Sequence, residues 1–256
     1  MISLISPGVR TIHRNSRTLR PELLETADEA LADRNLLDIA RINRWFGGHR
    51  ALVRVLKGLA PRGKPFSVLD VRAGSGDMGN CLRHRFQNAT VVSLDHGKFH
   101  LRRALGPRVA ANAFQLPFLP NAFDFVLCSS VLHHFGDHEV IQLIEQLRRV
   151  ARGALIVLDL ERHWLAYHFL PLTQQILGWS ALTVHDGPVS VAAGFRSEEL
   201  SVLAHAAGCR AAAVQRHWPW FRLSIVIPAR ASEEAVQGLD LIDTDSRRPL
   251  LKSAAV

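Results

Sequence analysis

Residues 68–79 read Val68-Leu69-Asp70-Val71-Arg72-Ala73-Gly74-Ser75-Gly76-Asp77-Met78-Gly79, and this stretch decides the fold. An apolar run interrupted by one acid passes into glycines and then into a sequence that predicts a helix over residues 78–86. In a strand–turn–helix of this kind, peptide N–H groups and a helix N-terminus converge on one point that suits a ligand anion. Gly74, Gly76 and Gly79 match GxGxxG, the dinucleotide fingerprint, although a plain tight turn produces the same pattern. Asp95 closes the next predicted strand, placed to accept hydrogen bonds from two ribose hydroxyls. Nicotinamide sites and other nucleoside sites share such an acid. Asp70 discriminates between them, because a carboxylate four residues before Gly74 suits a ligand with a cationic amine and repels a pyrophosphate.

Working outward, the same alternation continues. Residues 66–71 read as a buried strand, 90–94 as a strand, 98–105 as a helix and 108–111 as a short strand. Residues 123–129 predict another strand and 138–150 an amphipathic helix with Val140, Ile141, Ile144 and Leu147 inward. Residues 154–160 form a near-continuous apolar strand, as expected when both sheet faces are covered. A helix over 197–207 and strands near 211–215 and 223–227 follow. Strand and helix alternating at this spacing predict a doubly wound, parallel α/β sheet. Ahead of it, residues 21–59 carry apolar residues at three- and four-residue steps, with a stop at Gly47-Gly48 and a second helix over 50–59.

The chain has 256 residues, with 48% hydrophobic and 21% charged, an ordinary globular composition. Three scattered cysteines, Cys81, Cys128 and Cys209, exclude a disulfide scaffold and a thiolate zinc site and fit a reducing compartment, so a cytoplasmic location is expected. The net charge is +8, and residues 1–64 hold 12 basic against 6 acidic residues, or +6 of it. These arginines lie among acids and apolar residues without a nucleic-acid motif, so nucleic acid is not the expected partner; peripheral membrane contact stays open. The apolar start of the chain precedes its arginines, the wrong order for a signal peptide. Residues 164–184 carry no Asp, Glu, Lys or Arg, yet His168, Pro171, Gln174, Gln175 and Gly178 speak against a membrane span. A lid-forming helix is expected there.

Four motifs in order then carry a resemblance: the glycine loop after Asp70; Asp95; Asn112-Ala113; and Phe123 to Ser129 running into Ser130-Val131-Leu132-His133-His134. The chain resembles the class I S-adenosylmethionine-dependent methyltransferases, in the small-molecule branch similar to the ubiquinone/menaquinone methyltransferases, over residues 66–160 and more loosely to 227. The resemblance implies a mostly parallel, seven-stranded Rossmann-like sheet over residues 65–228, with an N-terminal helical cover over 1–64, a lid insertion at about 161–196 and a loose tail over 229–256. It implies S-adenosylmethionine as cofactor. Asp70, Arg72, Gly74, Ser75 and Gly76 would serve its methionine end, Asp95 and His96 its ribose, Asn112 and Ala113 its adenine, and Ser129 would lie under the sulfonium. Arg72 departs from the family, which usually has glycine there. It either caps the ligand's carboxylate or crowds the loop, so a degenerate binding protein is the alternative, with a nicotinamide oxidoreductase behind it.

On the acceptor side, His133 and His134 follow a strand at its carboxyl end and are candidate bases, as is His185 beside Asp186 in an expected loop at 185–188. His134 and His138 lack an evident third ligand, so no metal is expected. Trp164, Tyr167 and His168 on the lid, and Trp45 at the end of the cover helix, are candidate substrate contacts. The expected reaction methylates oxygen or carbon of a small apolar or aromatic acceptor.

Overall fold

The computed structural model describes residues 17–209 and 212–229. The segments ahead of residue 17 and nearly all of the expected tail at 229–256 lie outside them.

Five parallel strands, β1 (Phe66–Val71), β2 (Ala89–Asp95), β3 (Arg108–Ala110), β4 (Phe123–Ser129) and β5 (Ala151–Leu160), are joined by β6 (Ala213–His217) and β7 (Arg222–Pro228). The order is β3-β2-β1-β4-β5-β7-β6, with β7 antiparallel to both neighbours. The seven-stranded, mostly parallel Rossmann-like sheet is therefore present. The chain reverses direction of travel across the sheet between β1 and β4, and such a switch point opens a crevice at the carboxyl ends of the strands.

The period-two alternation of the strands divides the core into two layers. Leu69 and Val71 of β1 and Val126 and Cys128 of β4 face α4 (Asp137–Val150) and α7 (Ser197–Ala206), whose Val140, Leu143, Ile144, Leu147 and Leu200 are fully buried. Phe66, Val68 and Leu127 face the other way, onto α2 (Gly48–Leu59) and α3 (Asp77–Arg85) through Leu52, Leu56 and Leu82. The second helix of the expected cover thus packs directly on the sheet. Only α1 (Glu29–Trp45), capped by the Asp28 carboxylate on the Leu31 N–H, overlies the crevice. Gly47, at φ 80°, makes the turn between them, and a Cβ there would stand 2.3 Å from the Trp220 ring.

Two segments differ from expectation. Residues 98–105 form only a 3-10 turn, His100–Arg103, stitched by i→i−3 bonds such as Ala104 N–H to Leu101. The Asn80 side chain holds its exit, accepting from Leu105 N–H and donating to the Arg103 carbonyl. The uncharged stretch is two helices, α5 (Trp164–Leu177) and α6 (Ala181–Ala193). They part at Gly178, which is left-handed at φ 67°, and Ser180 restarts the chain by capping the Thr183 N–H. Residues 185–188, expected as a loop, lie inside α6; Pro188 forfeits the helical bond to the Val184 carbonyl without ending the helix.

Candidate active site

A cavity of about 480 Å³ opens at the carboxyl ends of β1 and β4, roofed by α1, α5, α6 and the hairpin between β6 and β7. Its floor is the glycine loop. Gly76 begins α3 at φ 73°, and a Cβ on it would come within 2.4 Å of Ala104, so only glycine lets loop and turn close together. Arg72 adopts φ 52°, a left-handed conformation that ordinarily favours glycine, and its guanidinium lies 5.6 Å from the Phe135 ring centroid. The loop therefore makes a left-handed turn with arginine at a position whose backbone favours glycine.

Asp70 is buried at the end of β1, and its Oδ2 accepts from the Gly79 N–H at 3.0 Å. Burial, with the charge of Asp77 nearby, pushes its carboxyl up to about 8. Asp95 is better supplied. Its Oδ2 accepts from Gly74 N–H and its Oδ1 from Gly97 N–H, each at 3.0 Å, with the His96 and His100 rings at 3.1 and 3.2 Å. Burial alone would raise its carboxyl, but His100 and the two N–H groups outweigh that and hold it below the ordinary range. Ser129, at the end of β4, borders the cavity, and its buried Oγ has no hydrogen-bond partner. These residues fit a zwitterionic nucleoside: a carboxylate short of donors, a second acid beside the loop and an orphaned hydroxyl border one space.

The acceptor end is built around the paired histidines. His133 Nδ1 lies 2.6 Å from Asp159 Oδ1, and Asp159 Oδ2 accepts from the Leu132 N–H at 2.9 Å, which fixes the short turn after β4. Glu22, from the segment ahead of α1, places Oε1 3.7 Å from His133 Nε2 and 3.8 Å from His134 Nδ1; Ser190 of α6 donates to the same oxygen. Burial would lower His133, but Asp159 and then Glu22 overcome it and raise the imidazole to about 9. His134 stacks on that ring at 4.3 Å. Burial, followed by the charge of His133, drives it down to about 4. The two adjacent histidines are thus pushed in opposite directions, His133 toward the cation and His134 toward a neutral, weakly basic imidazole. Glu22, His133 and His134 also gather three ligand-type atoms within 4.8 Å, as do Asp95, His96 and His100. In both clusters the nitrogens already face carboxylate oxygens. His138 is exposed on α4, away from the cavity lining.

The expected residues fall into two groups. Asp70, Arg72, Gly74, Ser75, Asp95, His96, Ser129, His133 and His134 border the cavity. Gly76 shapes the loop beneath it. Asn112 and Ala113 are not among the lining residues: Asn112 Oδ1 accepts from Phe114 N–H at 3.0 Å, and Ala113 is in the core. Trp45, Trp164, Tyr167 and His168 are exposed, and the cavity face of α5 is Ala166, Phe169 and Leu170 instead. His185 sits outside the lining too, with Nδ1 2.8 Å from Asp186 Oδ1. Asp186 itself turns inward, accepting from Leu23 and Leu24 N–H at 3.0 Å each, which pins the Glu22 segment over the histidines.

Sequence reading missed Glu22, Asp159 and Arg222. Asp159 did leave a signal, as a lone acid in a doubly buried strand. Arg222 is buried on β7 and joins the roof to the floor: it donates to Asn43 Oδ1 at 2.9 Å, and Asn43 donates to Asp77 Oδ2 at 3.0 Å. His49 Nε2 meets the same Asp77 oxygen at 3.1 Å.

Sheet order, glycine loop and crevice acids define a Rossmann-like domain with a ligand crevice at its switch point. Residues 69–157 match the family described as "Methyltransferase domain". The demethylmenaquinone methyltransferase of Thermotoga maritima is 27% identical over 103 residues, which span 38% of this chain and 44% of that protein; the match thus spans less than half of the curated relative. Among solved structures, the plantazolicin methyltransferase BamL, in complex with a desmethylPZN analog and SAH, aligns over 81% of this chain and 94% of its own with a TM-score of 0.61 at 14% identity. The CurJ carbon methyltransferase aligns over 72% of this chain and 53% of its own, with a TM-score of 0.50 at 13% identity.

Proposed function

We propose that this protein is an S-adenosylmethionine-dependent methyltransferase acting on oxygen or carbon of a small acceptor with an apolar or aromatic body. The observation that carries this reading is that one cavity joins the Asp70–glycine loop–Asp95 floor to a neutral histidine under an apolar roof. Asp70 and the loop bind the amino acid end, Asp95 and His96 the ribose, and Ser129 offers its hydroxyl between them; Asn112 and Ala113 stand behind this wall. The cofactor, when bound, supplies an electrophilic methyl group on a sulfonium, so the protein's task is alignment and exclusion of water. Phe46, Phe169, Leu170 and Trp220 exclude that water and suit an apolar acceptor. His134 takes the acceptor's proton. Burial, and then the His133 cation that Asp159 and Glu22 hold behind it, keep His134 neutral.

A second reading, a binding protein with a degenerate loop, rests on Arg72. Its left-handed backbone and its place over Phe135 leave the loop's turn intact, which favours the enzyme. A nicotinamide enzyme would set a pyrophosphate against Asp70. Calorimetric titration with S-adenosylmethionine, S-adenosylhomocysteine and NAD separates the three. The first two should bind and NAD should not; binding of none supports the degenerate site, and binding of NAD alone supports the oxidoreductase. In the same preparation His134→Gln should keep cofactor affinity while product formation, followed by mass spectrometry, falls by about 10²-fold or more; undiminished turnover would remove His134 as the base.

A further inference from the structure

The lid helix α5 has an outer face that none of the described residues covers. Trp164, His168, Leu172 and Ile176 follow one another at four-residue steps, and Trp164, Leu172 and Ile176 are 67%, 76% and 83% exposed. Leu165 and Tyr167 flank the stripe, and Trp218, 71% exposed at the tip of the β6–β7 hairpin, extends it past its N-terminal end, where His163 packs against the Trp218 ring. The opposite face of α5 lines the cavity, so apolar residues occupy both faces of the helix, interrupted by His168 and Thr173-Gln174-Gln175. Such a helix is ordinarily buried or spans a membrane. This one is half exposed, and no helix among the described residues is long and apolar enough to cross a membrane.

Around the stripe Arg41 is paired with Asp38 at 2.9 Å and Arg216 with Glu161 at 2.8 Å, so the positive excess at its edges comes from the exposed Arg44, Arg50 and Arg54. α5 itself carries no Asp, Glu, Lys or Arg. At its C-terminal end Arg41 donates to the Leu177 carbonyl and stacks over Trp45 and Trp179, with the exposed Arg44 one turn on. Beside the hairpin, Arg50 lies 6.0 Å from the Trp220 ring and Arg54 is exposed one helical turn further along α2. These arginines belong to the N-terminal segment that holds most of the chain's positive excess. An uncharged aromatic and aliphatic ridge with a cationic rim has the chemistry of a helix lying in a bilayer interface. A protein partner would find few donors or acceptors on this ridge to fix its register.

We propose that the outer face of α5 and the tip of the β6–β7 hairpin dock on an anionic lipid bilayer. Docking rests on this surface alone. Its use, loading an apolar acceptor from the lipid beneath the lid, rests on the methyl-transfer reading above.

The test is co-sedimentation of the full chain, without cofactor, with phosphatidylcholine vesicles and with vesicles containing phosphatidylglycerol. Binding to the anionic vesicles is expected, weakened by 0.5 M salt as for any interaction with a charged surface at about a 4 Å screening length. Leu172→Glu/Ile176→Glu should reduce the bound fraction at least tenfold while its circular dichroism melt matches wild type, and Arg44→Glu/Arg50→Glu should reduce it on anionic vesicles specifically. Absence of binding overturns the proposal, as does undiminished binding of the Leu172/Ile176 variant. Sedimentation velocity that shows a dimer dissolved by the same two substitutions would assign the ridge to a second copy instead. Because no cofactor is present, a failure here leaves the methyltransferase reading standing, and a failed cofactor titration leaves the docking standing.

Discussion

Asp70 shows how much one side chain can report. Its carboxyl is buried and raised to about 8, with a single N–H donor from Gly79. At pH 7 most of the population is therefore protonated in the free protein. A cationic amine placed against it would favour the carboxylate and expel that proton. Titration of S-adenosylmethionine at pH 7 in buffers of different ionisation enthalpy should thus show release of close to one proton, shrinking as the pH rises past about 8. Asp70→Asn should abolish the release and keep it absent at every pH. Release that survives this substitution would place the proton elsewhere. The residue types at Asp70, Asp95 and Ser129 were legible because the strand–glycine–helix spacing forces them to the crevice. His133 and His134 were legible in position, but their opposite protonation depends on Glu22 and Asp159. No local pattern links those residues to the histidines, and only the fold brings them within 4 Å.

At the scale of elements, the sheet was readable because each parallel strand is an apolar run flanked by amphipathic helices, and its boundaries moved by only a few residues. The lid was harder. An uncharged stretch gives no polar face to orient a helix, so periodicity favoured the outward Trp164, Tyr167 and His168 over the inward Ala166, Phe169 and Leu170. The break at Gly178 and the continuation through Pro188 depend on how α5 and α6 pack. Gly187 sets that packing. A Cβ there would fall 2.1 Å from Leu170 Cδ1, with Cγ at 3.3 Å and Cβ at 3.7 Å behind it, in a helix that lines the cavity. Gly187→Val should push α5 off α6, costing about 1–3 kcal/mol as overpacking does, read as a lower urea midpoint at unchanged m. Since the two helices roof the cavity and the proposed cofactor site lies on its floor, cofactor affinity should change far less than stability. Equal stability of the variant would mean that the lid helices are not clamped at this point.

For the whole molecule, the apolar packing of the cover on the sheet is joined by an electrostatic link that depends on pH. His49 of α2 is held by Asp77 of α3; burial opposes its charge, but the Asp77 bond and Cys81 overcome this and raise it to about 9. His133 is raised to the same level between Asp159 and Glu22. For both, the folded value lies above the unfolded one of about 6.5. Their contribution is therefore complete below pH 6.5 and is lost as the pH climbs through 9. Glu22 has the opposite sign: burial would raise it, but its histidine partners bring it down to about 2. Its contribution is present above 4.5 and is lost as the pH falls through 2. Asp70, raised to about 8, loses stability as the pH climbs from about 4, and His134, lowered to about 4, loses it as the pH falls below 6.5. These opposed slopes offset, so the two limbs leave a stability plateau between about pH 4.5 and 6.5. Thermal melts across pH 4–10 should show it, with a decline beginning above 6.5 that precedes any lysine titration. His49 is only partly buried, so solvent screening reduces its share to about 1 kcal/mol, or ~2–4 °C for a chain of this length. His49→Gln should remove about that much of the alkaline decline, because glutamine still reaches Asp77 without titrating. A variant whose alkaline limb matches wild type would show that Asn43 and Arg222 hold Asp77, and with it the roof, by themselves.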